Sequence, residues 1–168
     1  MPKNLEIKAR MEDLRKARQI AERLPARFTG TLKQTDTYFN VKHGRLKLRE
    51  IYQQHAELIY YHRIEDKNER VSDFQIYSCE QPHKLKAMLE QAVGILAVVK
   101  KRRDLFMYKK TRIHLDVVDT LGTFLELETP FDVRVEKAQK MINYLIRQFE
   151  LQKNDYISHS YLDLILTK

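Results

Sequence analysis

Hydrophobic and polar residues alternate along several short stretches of this chain, which is the pattern of β-strands with one apolar and one polar face. The first such stretch is Asn4–Arg10, in which Leu5, Ile7 and Ala9 alternate with polar residues. We expect the predicted strand Asp104–Lys110 to pair with the strand Leu96–Arg102 that precedes it. The further predicted strands are Lys33–Asn40, Arg45–Arg49, Glu57–Arg63, Ser72–Ser78, Leu96–Arg102, Asp104–Lys110 and a hairpin over Arg112–Glu128.

Helical spacing of apolar residues predicts helices between and after these strands. All four glycines and three of the four prolines lie at boundaries between the proposed elements, which indicates one domain over residues 1–168. Many strands with a few helices make an α+β protein. The predicted helices are Leu14–Leu24, Pro82–Gly94, Val135–Phe149 and a short one within Asp155–Leu166.

The hairpin at Arg112–Glu128 places charges of both signs on one face. Gly122 can supply the positive φ that its turn needs. Glu126 and Glu128 share a face and repel each other, and a hard divalent cation between them would relieve the repulsion. A solvated polar face is the simpler interpretation of the hairpin taken alone. The polar face would carry Arg112, His114, Asp116, Glu126 and Glu128.

The same division into an apolar and a charged face recurs in strand after strand. A closed antiparallel β-barrel with a charged interior, covered outside by flanking helices, fits this pattern. An open sheet with one wet face is the alternative. The barrel would gather the carboxylates Glu6, Asp116, Glu126 and Glu128. It would also gather the cations Lys8, Arg10, Arg45, Lys47, Arg49, Arg63, Lys100, Arg102 and Arg112.

Composition narrows the partners of such a barrel. The chain has 31 Lys and Arg against 23 Asp and Glu, a formal charge of +8 at pH 7, so an anionic partner is expected. No apolar run is long enough to span a membrane, and no secretion signal is recognisable, so no membrane partner is expected. The single Cys79 suits a reducing compartment. We therefore expect a cytoplasmic protein that binds a polyanion such as a triphosphate, and nucleic acid is the less favoured partner.

Several motifs in this order resemble the CYTH superfamily of triphosphate tunnel metalloenzymes, and within it the branch similar to class IV adenylate cyclases. The resemblance runs from near the first residue to the last helix. It implies a triphosphate tunnel barrel that binds Mg²⁺ or Mn²⁺, and a homodimer as one state to expect. The motifs are NLEIKAR, QTDTYFN, GRLKLRE, ELIYYHR, VVKKR, IHLDVVDTLGTFLELE and SYLDLI.

The resemblance also implies roles for single residues. Glu6 and Lys8 match the second Glu and the Lys of the family signature E-x-E-x-K, and Lys8 is the predicted catalytic residue. Asn4 stands where the signature has its first Glu, which leaves the number of metal ions open. The implied metal ligands are Glu6, Asp116, Glu126 and Glu128. The implied phosphate-binding residues are Lys8, Arg10, Arg45, Lys47, Arg49, Arg63, Lys100, Arg102 and Arg112.

Three functions remain open at this stage. The resemblance favours an adenylate cyclase, in which the 3′-hydroxyl of ATP attacks the α-phosphorus and pyrophosphate leaves. A triphosphatase acting on thiamine triphosphate or tripolyphosphate is the alternative reaction. The third function is a module that binds polyphosphate, nucleotide or RNA without turning it over. His114 is interpreted as a structural residue rather than a general base. The group attached to the triphosphate has no short sequence signature.

Overall fold

The fold is a closed antiparallel β-barrel with helices around it. The computed structural model describes residues 3–66 and 69–168, with the backbone alone for 63–66 and 69–70. The strands are β1 (Lys3–Arg10), β2 (Arg27–Phe39), β3 (Arg45–Ile51), β4 (Ala56–Asp66), β5 (Glu69–Cys79), β6 (Ile95–Tyr108), β7 (Thr111–Val118) and β8 (Gly122–Phe131). The helices are α1 (Leu14–Arg23), α2 (Pro82–Val93), α3 (Glu136–Gln148) and α4 (Tyr161–Leu166).

Pairing between neighbouring strands closes the sheet on itself. Round the barrel the order is β1, β5, β4, β3, β2, β6, β7, β8 and back to β1. All of these pairs are antiparallel. The closed-barrel prediction is therefore confirmed, and the open-sheet alternative is wrong.

The main hydrophobic core lies outside the barrel wall, between the sheet and two helices. Outward-facing residues of β1, β7 and β8, such as Ile7, Ile113 and Leu127, are almost fully buried. They pack against apolar residues of α1 and α3, for example Ile20 and Ile142. Because these outer faces are apolar and covered, the polar faces of the same strands point inward.

Helix α4 covers one end of the barrel. Its Tyr161 and Leu162 are buried in a second apolar cluster with Phe124 of β8 and Val99 of β6. The ring centroids of Tyr161 and Phe124 lie 5.0 Å apart. The tail predicted to form a helix over Asp155–Leu166 is helical only from Tyr161, after a short 3-10 turn at Lys153–Asp155.

The largest difference from the predicted elements is β6. Two paired strands were expected over Leu96–Arg102 and Asp104–Lys110, but a single 14-residue strand runs from Ile95 to Tyr108. This prediction is wrong because no glycine or proline lies between the two segments to turn the chain. The long β6 instead pairs with β2 on one side and with β7 on the other.

Of the glycines expected at element boundaries, Gly122 lies at one and Gly30 does not. Gly122 has φ +114° after the turn between β7 and β8, as the sequence predicts. Gly30 does not end β2 but lies within it, next to a break in register with β6. Across the described part of the chain, no helix is both long and apolar enough to cross a membrane.

Candidate functional site

The interior of the barrel holds a cavity of about 260 Å³. Inward-facing side chains from all eight strands line it, together with Ser160 and Tyr161 at the α4 end. Three of its acidic side chains lie on the adjacent strands β1 and β8, and Glu57 lies on β4. Four cations lie on β3 and β6, and Lys8 and Arg112 add two more on β1 and β7. The cavity therefore has an acidic wall and a basic wall.

The acidic wall is built from cross-strand neighbours. Glu6 of β1 lies directly opposite Glu128 of β8, and Lys8 lies opposite Glu126. Like charges opposite each other in a sheet are destabilising, so this pair needs compensating cations. Glu6 is 7% exposed and the side chain of Glu128 is 13% exposed, so water screens their repulsion weakly.

Glu126 is the most heavily contacted carboxylate of this wall. Its oxygens lie 3.2 Å from Lys8 Nζ, 3.1 Å from His114 Nδ1 and 3.6 Å from Arg103 Nη2. Burial alone would raise the pKa of Glu126, but the charge of Lys8, the hydrogen bond with His114 and the charge of Arg103 hold it well below its ordinary value. Glu126 is therefore a carboxylate at neutral pH.

Glu128 pairs closely with Arg112, and His114 Nε2 lies 4.0 Å from its Oε2. Arg112 donates from Nε and Nη2 to Glu128 Oε2 at 2.8 and 2.7 Å. Burial would raise the pKa of Glu128, but Arg112, His114 and Arg103 together lower it. Burial lowers the pKa of His114, and Arg103 adds to this effect, so its imidazole is neutral and binds Glu126 in the barrel wall.

Asp116 lies outside the acidic wall. Its two oxygens accept hydrogen bonds from Arg103 Nε and Nη2, both at 2.7 Å, and Oδ2 also accepts one from the Tyr161 hydroxyl at 2.7 Å. It is fully buried and does not line the cavity. The structure therefore places the predicted metal ligand Asp116 as the partner of Arg103, because its carboxylate is already satisfied by an arginine and a tyrosine.

The basic wall converges on a carboxylate that the sequence analysis did not select, Asp36 of β2. Arg49 donates to both Asp36 oxygens at 2.8 Å. Lys47 Nζ and Lys101 Nζ lie 3.2 and 3.4 Å from Oδ2. The predicted phosphate-binding residues Lys47 and Arg49 do face the cavity.

Other predicted cations lie at the edges of the site. Arg45 forms an ion pair with Asp163 of α4 at 2.7 Å. Arg10 is exposed, and its guanidinium lies 5.2 Å from the ring centroid of Phe124, outside the cavity lining. The side chain of Arg63, a further predicted phosphate-binding residue, lies outside the described residues.

The predicted pair Lys100 and Arg102 points to the wrong side of the wall. Both are exposed on the outer face of β6, whereas Lys101 and Arg103 are 6% and 5% exposed and line the cavity. The prediction failed because four apolar residues are followed by four cations in this segment, so either alternation of faces fits. The pairing of Arg103 with Asp116 on β7 fixes the phase.

The sequence analysis also did not select Tyr161 as a site residue. Its ring lies 3.6 Å from Lys8 Nζ and 5.2 Å from Lys101 Nζ, measured to the ring centroid. The amphipathic pattern of the tail predicts that its helix packs on the barrel, but it does not predict which aromatic ring enters the barrel. Only the alternation of Gln34, Asp36 and Tyr38 on β2 carried a signal for the missed Asp36.

The donor set of the acidic wall suits a hard divalent ion. Glu6, Glu126 and Glu128 offer carboxylate oxygens, and Asn4, 5% exposed on the same face of β1, offers an amide oxygen. Within the described ranges, no three His, Cys, Asp or Glu residues converge as a ready-made metal site. The glutamates would therefore leave their present basic partners on binding an ion. This suits an ion such as Mg²⁺, which is held by a few carboxylates together with substrate phosphates.

A closed antiparallel barrel with carboxylates and cations around an interior cavity is a tunnel-type barrel. Residues 2–161 match the profile of the CYTH domain. Since this match covers nearly the whole chain, the protein belongs to the CYTH family. The resemblance inferred from the motifs is therefore confirmed. Comparison with curated proteins gives no match.

Solved structures share this fold at low sequence identity. A protein of Pyrococcus horikoshii is 24% identical with a TM-score of 0.88, over 96% of this chain and 98% of that one. A candidate adenylate cyclase of Vibrio parahaemolyticus is 19% identical with a TM-score of 0.80, over 98% of both chains. A candidate adenylyl cyclase of Hippeastrum, described as having a dominant triphosphatase activity, is 12% identical with a TM-score of 0.71, over 98% and 95%.

Proposed function

We propose that this protein is a divalent-metal-dependent enzyme that cleaves a phosphoanhydride bond of a triphosphate held inside the barrel. The observation that carries the proposal is the arrangement of charge within the barrel cavity, with three glutamates on β1 and β8 and four cations on β3 and β6. A triphosphate carries several negative charges along a short chain. Such a ligand can contact the cations directly and the carboxylates through a metal ion.

The acidic wall would hold the metal. Glu6, Glu126 and Glu128 are its proposed ligands, with Asn4 as a neutral neighbour. When bound, Mg²⁺ or Mn²⁺ neutralises phosphate charge and makes the phosphorus more susceptible to attack. Asp116 is not included, because Arg103 and Tyr161 already occupy its oxygens.

The basic residues would bind and orient the phosphates. Arg49 and Arg103 present planar guanidinium groups suited to two phosphate oxygens, whereas Lys47 and Lys101 act as point charges. Lys8 lies between the two walls, 3.2 Å from Glu126 and next to the Tyr161 ring. From this position it can orient the attacking group or contact a phosphate oxygen. Phosphoryl transfer depends mainly on such positioning and charge neutralisation.

Two reactions use this arrangement. In the first, the 3′-hydroxyl of ATP attacks the α-phosphorus and pyrophosphate leaves, as the resemblance to class IV adenylate cyclases suggests. In the second, water attacks the terminal phosphorus of a triphosphate. Both reactions would use the same cavity of about 260 Å³ and the same phosphate-binding groups, so the products decide between them. The descriptions of the Vibrio and Hippeastrum proteins include both reactions.

Product analysis tests the proposal and separates the reactions. The protein would be incubated with ATP, thiamine triphosphate or tripolyphosphate, with Mg²⁺, Mn²⁺ or a chelator. Cyclic AMP with pyrophosphate identifies the cyclase, whereas orthophosphate with the matching diphosphate identifies the triphosphatase. Binding of all three without any product would instead favour a non-catalytic binding module.

Glu128→Gln is the sharpest variant for the metal. Its described partners are Arg112, which is 44% exposed, and the neutral His114, whose Nε2 lies 4.0 Å away, so the variant does not leave a fully buried cation behind. We expect turnover to fall roughly 100-fold or more, since a metal contributes several kcal/mol at the transition state. Glu150→Gln, at an exposed ion pair with Lys16, is the matched control and should keep full activity. Unchanged turnover and metal dependence in Glu128→Gln would remove Glu128 from the metal site.

A further inference from the structure

Asp36 is a buried carboxylate on the basic wall, far in the strand order from the proposed metal ligands. It lies on β2 opposite Arg49 of β3, and its side chain has no exposed surface. Arg49 donates to both of its oxygens at 2.8 Å, while Lys47 and Lys101 approach Oδ2 at 3.2 and 3.4 Å. One carboxylate thus holds three cationic head groups together.

The charges in this cluster do not balance. One negative charge stands against the basic groups of Arg49, Lys47 and Lys101, and Arg103 adds positive charge nearby. Burial lowers the pKa of Lys101, which reduces the imbalance but leaves Arg49 and Lys47 against one carboxylate. Burial alone would raise the pKa of Asp36, but Arg49, Lys101 and Lys47 hold it well below its ordinary value, so Asp36 is ionised at neutral pH. Buried like charges with one counter-ion are unfavourable, so the cluster gains from a second anion.

The position of Asp36 also excludes a metal-binding role in this arrangement. A carboxylate surrounded by three cations within 3.4 Å offers no room and no net negative charge to a divalent ion. Its carboxylate instead takes the place on the basic wall where a phosphate group with similar oxygen geometry would fit.

We infer that Asp36 is a positioning residue that stands in for a substrate phosphate. It keeps Arg49, Lys47 and Lys101 converged while no triphosphate is bound, and a bound phosphate then shares these cations with it. This inference rests on the proposed function and adds to it the control of phosphate affinity by an internal anion. The Asp36 carboxylate thus orders the cations of the basic wall, but its negative charge also weakens their attraction for a polyanion.

Asp36→Asn removes the negative charge with little change in shape. The cations lose their counter-ion, so the ligand-free protein becomes less stable. A polyanion gains, because the repulsion from Asp36 is gone and the net positive charge of the wall is higher. Both effects favour binding, so tripolyphosphate should bind Asp36→Asn at least tenfold more tightly than it binds the wild type.

Asp104→Asn is the matched control. Asp104 of β6 also forms an ion pair with an arginine, Arg18, and accepts a hydrogen bond from Thr31, but on the outer face of the barrel. Asp104→Asn removes one aspartate charge and its ion pairs with Arg18 and Arg102 without touching the basic wall. The affinity for tripolyphosphate should therefore stay within about twofold of the wild type.

Calorimetric titration of tripolyphosphate with a chelator and no divalent metal tests the inference. We expect measurable binding to the wild type, tighter binding to Asp36→Asn by at least tenfold, and a larger rise in melting temperature on binding. Equal or weaker affinity in Asp36→Asn would overturn the inference, because it would show that Asp36 only supports the fold. Absence of tripolyphosphate binding to the wild type and the variant alike, with and without metal, would overturn the proposed function as well.

A second comparison covers the case in which Asp36→Asn does not fold. Lys101→Met removes one of the three basic groups. The double variant Asp36→Asn with Lys101→Met removes the carboxylate as well. Its excess of positive charge is smaller than that of the single variant Asp36→Asn. The double variant should still bind tripolyphosphate at least tenfold more tightly than Lys101→Met. An equal affinity of these two variants would likewise contradict the inference.

Discussion

Lys100 and Lys101 are adjacent in the chain but lie on opposite sides of the barrel wall. Lys101 is 6% exposed and its amine lies 3.4 Å from Asp36, whereas Lys100 is exposed on the outer face. Burial lowers the pKa of Lys101 well below its ordinary value, and the charge of Asp36 opposes this effect. The two lysines therefore offer a comparison in which residue type and strand are the same and only the face differs.

Lys101→Met should weaken triphosphate binding, and Lys100→Met should not. A hydrogen bond to a charged group contributes about 1.5–3 kcal/mol, so KM should rise roughly tenfold or more in Lys101→Met. Steady-state kinetics with both variants measures this difference. An equal effect of the two substitutions would mean that the charge of β6 acts as a whole and that its face is unimportant.

Asn4 is the second position where one residue type decides the chemistry. It shares the inward face of β1 with Glu6, two residues and about 6.5–7 Å along the strand. A carboxylate there could hold a second ion or share one with Glu6. Asn4→Asp, and Asn4→Glu for the longer reach, should tighten binding of Mn²⁺ in the absence of nucleotide.

Calorimetric titration of Mn²⁺ into wild type and Asn4 variants gives both affinity and stoichiometry. Asn143→Asp on α3, whose amide accepts a hydrogen bond from Gln139 at the surface, is a control for adding one carboxylate far from the cavity. If the Asn4 variants bind Mn²⁺ like the wild type, position 4 does not face the metal.

The charged faces of β1, β3, β7 and β8 could be predicted because apolar and charged residues alternate strictly there. The same reasoning failed at Lys100 and Arg102, since a run of apolar residues followed by a run of cations has no period of two. It also could not show that Asp116 is satisfied by Arg103 and Tyr161, because this depends on which strands and helices meet in space.

Among the elements, α4 has the closest link between the tail and the cavity. Asp163 accepts hydrogen bonds from the backbone and hydroxyl of Ser160 and from Arg45, and so joins the helix start to β3. Burial would raise the pKa of Asp163, but the bonds from Arg45 and Ser160 lower it below the ordinary value of 3.8. The carboxylate therefore stabilises α4 docking above about pH 3.8, and this contribution is lost as the pH falls through the lowered pKa.

Asp163→Asn should loosen α4 at neutral pH. Loss of a helix cap costs about 1 kcal/mol of helix stability. Because Asp163 and Arg45 are partly exposed, their ion pair adds little to this cost. Hydrogen exchange of the α4 amides should speed up roughly fivefold, and its dependence on acid pH should become flatter. Asp13→Ala, which removes the side-chain cap of α1, should leave exchange in α4 unchanged. Equal protection of α4 in wild type and Asp163→Asn would show that apolar packing alone holds the helix.

At the level of elements, helix positions and the β7–β8 hairpin were predictable because their caps, turn residues and periodicity agree. The length of β6 was not, because a strand that passes two different neighbours has no local signal for where one pairing ends. Barrel closure depends on pairing between β1 and β8, which are far apart in sequence.

For the whole molecule, the charge of +8 is divided between the cavity and the outer surface. Lys33 of β2 lies directly opposite Arg102 of β6, with Lys100 two residues away, so cations cluster outside the barrel as well. Three such contacts would give single-stranded RNA an affinity that falls about twentyfold between 50 and 200 mM salt. This binding would be weak and independent of sequence.

RNA with a 5′-hydroxyl end should therefore not compete with tripolyphosphate at physiological salt. Fluorescence anisotropy of labelled RNA, with and without tripolyphosphate, measures this directly. Lys33→Gln with Arg102→Gln should lower RNA binding and leave tripolyphosphate binding unchanged. Tight, sequence-selective RNA binding that tripolyphosphate abolishes would instead place the RNA inside the barrel.

With α4 docked and its Tyr161 lining the cavity, we expect the barrel interior to open at one end only. Whatever enters must leave through the same mouth, so a product has to depart before the next substrate can arrive. Product inhibition by pyrophosphate or a diphosphate would be a natural result. A polymer longer than the cavity could present only its terminus, never an internal linkage, and the protein would then act on chain ends one at a time.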